Sequence, residues 1–152
     1  MIKKVLLILL LALVLIQFIQ PVRNQSGQAY PADFGQVYAV PGKVYGILKN
    51  ACYDCHSNNT KYPWYARLQP GAWWMASHIR KGKEELNFNA FGDYSPRRQQ
   101  SKLKAIASSI EDGTMPLPSY TLIHKSARLS STDKKLLLDW LNNKKNSLLE
   151  NK

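Results

Sequence analysis

Cys52-Tyr53-Asp54-Cys55-His56 places reactive residue types at a spacing that carries chemistry. Two cysteines three residues apart on a helical turn lie on one side of it. There their sulfurs can bond the two vinyl groups of a haem, and the adjacent histidine can reach the iron. In a chain of 152 residues, this pattern arises by chance roughly once in a thousand. Three other uses of the pair fit less well. A thioredoxin-like redox pair wants a strand before it and a helix after it, whereas here a helix comes first. A zinc site using Cys52, Cys55 and a histidine lacks a second pair at finger spacing. A disulfide at this separation is strained and leaves His56 without a role. The chain has no further cysteine, which excludes a multi-disulfide scaffold and any four-cysteine zinc or iron–sulfur site.

With His56 on one side of an iron, the candidates for the other are Met115, His78, His124 and Met75. Met115 stands in Gly113-Thr114-Met115-Pro116, just after a helical segment. The proline holds it off the helical ladder and fixes the chain direction, so that the sulfur can face the iron. His78 is the alternative, one turn from Trp74 on a partly apolar helix. His124 can line the pocket edge or carry a hydrogen bond, and Met75 reads as core.

The elements that must position these residues read as helices joined by long loops, with no strand alternation. Val40, Val44, Ile47, Leu48 and Ala51 recur at helical steps and lead from Gly42 into the cysteine pair. A second helix carries Ala72, Trp73, Met75, Ala76 and Ile79 and is expected to end near Gly82. A third starts at Ser95-Pro96, buries Leu103, Ile106, Ala107 and Ile110, and stops at Gly113. The fourth opens with Ser130 and Asp133 at capping-box spacing and is expected to bury Leu136, Leu137, Trp140 and Leu141. The aromatic block Tyr62, Trp64, Tyr65, Trp73 and Trp74 is expected to pack as core or to wall the haem and exclude water.

The N-terminus differs in kind. Val5 to Ile16 is unbroken apolar sequence, preceded by Lys3 and Lys4. This is the pattern of an export signal whose positive flank stays in the cytoplasm. Val5 to Ile19 is about 22 Å long as a helix, short of the usual span, yet no small-x-small cleavage site follows. The expectation is therefore residues 1–23 as a signal-anchor or signal peptide, 24–39 as a linker, and 40–152 as the domain. The chain carries 21 Lys and Arg against 10 Asp and Glu, a formal +11, and residues 24–152 keep +8. That balance fits an anionic partner. Export removes nucleic acid from consideration, and the basic residues form no groove-sized element.

Four segments, CYDCHSNNTKYPWY, HIRKGKEELNF, MPLPSY and LSSTDKKLLLDWL, resemble the bacterial haem-binding domain family of small exported proteins. More broadly, the cysteine motif, the Met-Pro loop and the capped last helix are similar to mono-haem class I c-type cytochromes. The resemblance implies an all-α, cytochrome c-like bundle of about four helices around one covalent haem, preceded by the N-terminal membrane-anchor or signal helix. It implies one haem c per chain, thioethers at Cys52 and Cys55, His56 as proximal iron ligand and Met115 as distal ligand. The expected role is one-electron transfer, not catalysis, on the periplasmic side of the bacterial inner membrane. The expected partners are that membrane, through the N-terminal helix, and a redox protein with an acidic surface, met by a rim of Lys43, Lys49, Lys61, Lys81 and Lys83. The competing reading is a haem sensor or peroxidase-like protein with a weak or open sixth site, in which His78 or His124 does acid–base work.

Overall fold

Residues 1–150 are described by the computed structural model, and they are helical with no strand among them. The chain folds as α1 (Ile2–Ile16), α2 (Phe34–Val37), α3 (Gly42–Ala51), α4 (Tyr53–His56), α5 (Gly71–Glu85), α6 (Pro96–Glu111), α7 (Pro118–Ile123) and α8 (Ser131–Glu150). Single turns of 3-10 helix cover Trp64–Arg67 and Lys125–Ala127, and a longer one covers Phe88–Asp93.

The four long helices of the domain are α3, α5, α6 and α8, as the periodicity predicts. α6 packs along α8, α3 packs on α8 and on α4, and α5 packs on α4. The buried residues follow the helical repeat: Leu103, Ala107 and Ile110 on α6, Val44, Leu48 and Ala51 on α3, and Leu137 and Leu141 on α8. Leu136 stands one step off the α8 stripe and is exposed. Ser130 and Asp133 cap α8 reciprocally. The Asp133 backbone N–H donates to Ser130 Oγ at 3.0 Å, and the Ser130 backbone N–H donates to Asp133 Oδ2 at 3.1 Å. Ser95 occupies the N-cap of α6, but its hydroxyl makes no capping bond there.

Three expectations change. Gly82 does not end the second helix, because α5 runs on to Glu85. Residues 24–39, expected to run as a linker, carry core side chains. Phe34 is fully buried, its ring edge-on to Tyr38, Phe88, Phe91 and Trp140. Gln25 also forms an isolated antiparallel bridge with Asn59. Composition hid this because one phenylalanine in a polar stretch gives no periodicity. The aromatic block is not core either: Trp64, Trp73 and Trp74 are exposed. α1 buries none of its residues, and among the described residues no helix is long and apolar enough to cross a membrane.

Candidate haem site

The cysteine motif is a single helical turn, α4, following directly on α3. Its two interior residues clamp it from opposite sides. Tyr53 is buried, stacked parallel on Phe88 at 4.7 Å, and its hydroxyl donates to Asp33, which also accepts from Asn89 Nδ2 and the Gly35 backbone N–H. Asp54 accepts from the Tyr120 hydroxyl at 2.7 Å and the Lys61 backbone N–H at 3.1 Å. The Tyr53 phenol is pushed above its usual pKa, first by burial and then by the Asp33 charge.

α5 closes against this turn. A Cβ at Gly82 would stand 2.8 Å from the Cys55 carbonyl oxygen, so only a glycine lets the helix come this close. The next element positions His56. Its Nδ1 lies 3.1 Å from the carbonyl oxygen of Leu86, the C-cap residue of α5. A carbonyl only accepts, so Nδ1 carries the proton and Nε2 is left as the free lone pair. Burial, the largest influence, lowers the His56 pKa and favours the neutral ring.

His56, Cys52 and Met115 line one cleft of about 280 Å³. Its walls include Leu86, Phe88 and Ile106, with Lys102 and Glu85 also lining it, their charged ends 4.0 Å apart. Met115 is brought there by the end of α6. Gly113 takes a left-handed backbone (φ +68°), and the Thr114 and Met115 backbone N–H groups both donate to the Ser109 carbonyl. The chain thus curls back over the cleft after α6.

Cys55 opens instead onto a smaller cavity of about 70 Å³, shared with Met75, His78, His124, Tyr65 and Tyr120. His78 lies tilted against the Trp74 ring and bonds the Trp74 carbonyl through Nδ1. His124 bonds the Tyr65 hydroxyl and stacks on Tyr120 at 4.2 Å. The alternative ligand His78 therefore lies in a different cavity from His56, while Met115 shares its cleft. The aromatic block does not line that cleft; Phe88, Leu86 and Ile106 do. Of the expected basic rim, Lys49 lies over the Tyr45 and Tyr53 rings and Lys83 donates to Asn24 Oδ1.

Both thiols are held toward the protonated form. No disulfide joins them. Burial, followed by the neighbouring Cys55, pushes Cys52 up to about 12, and burial followed by Asp54 pushes Cys55 up to about 11. A reactive pair needs the opposite shift. Among the described residues, no three His, Cys, Asp or Glu side chains converge as ligands of a protein-only metal site. The cleft instead brings together one imidazole and one thioether against an apolar wall, donor types that suit a haem iron. Sequence reasoning missed Leu86, Gly82, Asp33 and Lys102. The Leu86 contribution is a backbone carbonyl and has no residue signature at all.

The family model described as a haem-binding domain matches residues 11–143. No curated protein and no solved structure gives a match.

Proposed function

Because the chain belongs to the haem-binding domain family, we propose that it holds one covalent haem c and carries single electrons. The observation that supports this most is the shared cleft: His56, with Nε2 free, and Met115 line the same apolar space. In this reading Cys52, which lines that cleft, and Cys55, which faces the adjoining cavity across the same turn, would each add a thiol S–H across a vinyl group. His56 Nε2 and the Met115 sulfur would be the protein's donors to the haem iron, and Leu86, Phe88 and Ile106 would keep water away. The haem supplies the change between ferrous and ferric iron. With both donors supplied by the protein, an electron would pass without a substrate binding. A sensor or peroxidase-like reading needs an open sixth position with an acid–base group beside it. His78 and His124 line the other cavity, which favours the carrier.

The proposal extends to location. α1 is apolar on every face with Lys3 and Lys4 at its start, which supports export and an N-terminal anchor in the bacterial inner membrane, with the domain in the periplasm. The net positive charge of the domain suits a redox partner with an acidic surface.

The test is production with a c-type maturation system, followed by intact mass and a pyridine haemochrome spectrum. The expected mass is that of the chain plus one haem, with the spectrum of two saturated vinyls. Cys52→Ser and Cys55→Ser should each shift that spectrum to the single-thioether form. An unshifted mass and no haem absorption would end the reading.

A further inference from the structure

We propose that the exposed aromatic face around Trp64, Leu68, Trp73 and Trp74 lies in the headgroup region of the bilayer that holds α1. The inference rests on the anchor reading and adds an orientation for the whole domain.

Two observations combine. First, α1 has 15 residues, about 22 Å against a hydrocarbon core of about 30 Å. Second, nothing slack follows it. The Gln69 backbone N–H donates to Gln17 Oε1 at 2.9 Å, Gln69 Nε2 donates to the Ile19 carbonyl at 2.8 Å, and the Trp73 indole N–H donates to the same carbonyl at 3.0 Å. Gln20 Nε2 donates to the Arg67 carbonyl at 3.1 Å. The domain is thus bonded to the end of the helix. A helix too short to span, with no spacer, draws whatever is bonded to its end into the interface.

The surface at that point is built for such a place. Trp64 is 80% exposed, Trp74 55% and Leu68 52%, and none of them lines the His56 cleft. Phe18 and Ile19 are exposed at the end of α1, the Ile19 carbonyl is bonded to Trp73, and Arg67 closes the turn that carries Trp64. Tryptophan favours the membrane–water boundary, where its ring is shielded and its N–H stays bonded, and arginine reaches from there to phosphate. A patch of this kind in water is a contact surface waiting for an occupant. Its bonding to an apolar helix end selects lipid over a second copy of the chain. The haem cleft would then keep a fixed orientation to the membrane.

The experiment uses the full haem-loaded chain in phosphatidylethanolamine and phosphatidylglycerol vesicles, with or without brominated acyl chains, and a carbonate wash. Trp140, packed on Phe34, gives the unquenched background, and quenching by haem is the same in both vesicle types. The expected result is carbonate-resistant protein whose tryptophan emission is roughly twofold lower in brominated vesicles. In W64F/W74F most of that quenching should be lost. Resistant protein without quenching overturns the aromatic face and leaves the anchor standing; a dimeric mass in that case assigns the face to a second copy. Extractable but quenched protein supports the face and overturns the anchor. Equal quenching in the double variant, or extractable unquenched protein, overturns the proposal.

Discussion

His56 Nδ1 donates to the carbonyl oxygen of Leu86 across 3.1 Å, joining the residue after the second cysteine to the C-cap of α5. The last carbonyls of a helix have no partner within it, and a histidine ring needs one nitrogen fixed before the other can bind metal well. One bond meets both needs. It also explains why α5 must approach the cysteine turn so closely, and hence why position 82 is a glycine.

Replacing Gly82 is the direct test of that approach. Gly82→Ala should destabilise the protein by about 1–3 kcal/mol through overpacking against the Cys55 carbonyl, despite alanine's helix propensity. Gly46→Ala, inside α3 with open space at its Cβ, should instead stabilise by about 0.5–1 kcal/mol. Urea unfolding of the two variants separates the effects, and equal signs would count against a close-packed Gly82.

Met115, the proposed distal ligand, is the candidate that shares the His56 cleft. In the oxidised haem-loaded protein, Met115→Ala should abolish the sulfur-to-iron charge-transfer absorption, and His78→Ala should leave it intact. The reverse outcome would assign the ligand to the cavity on the other side of the turn.

Asp33 gathers three donors from Tyr53, Asn89 and Gly35 while 6% exposed. Asp33→Ala leaves those donors unpaired and should cost about 3 kcal/mol or more, whereas Tyr53→Phe removes one donor and should cost about 1 kcal/mol. Thermal unfolding in parallel decides the order.

Phe34 tests whether residues 24–39 belong to the folded domain. Phe34→Ala should cost about 3–5 kcal/mol, as for a large core aromatic. A cost below about 1 kcal/mol, the range of surface changes, would restore the linker reading.

The cap of α8 carries a pH dependence. Ser130, through its hydroxyl and its backbone N–H, holds the Asp133 carboxyl below its usual pKa. A lowered folded-state pKa gives stability that is present above the unfolded value, about 4, and lost as pH falls through the folded one. The Tm difference between wild type and Asp133→Asn should therefore be constant near neutral pH and shrink below about pH 4.

The sequence by itself determined the long helices and the haem-binding family, and it singled out the candidate motif. Cys52, Cys55 and His56 lie within five residues, so their spacing alone carries the expectation of a covalent haem. α3, α5, α6 and α8 write their buried stripes into a local repeat. Tertiary structure decided what depends on contacts between distant segments. The Pro-flanked loop puts Met115 ahead of His78 as a candidate ligand in the sequence, but only packing puts one in the His56 cleft and the other across the turn. Phe34 carries no periodic signal, yet it sits at the centre of the aromatic core because α2 folds onto the Phe88–Asp93 turn. The Trp block reads as core from composition, yet Trp73 and Trp74 lie on the surface because Ala72 and Ile79 are the residues α5 turns inward.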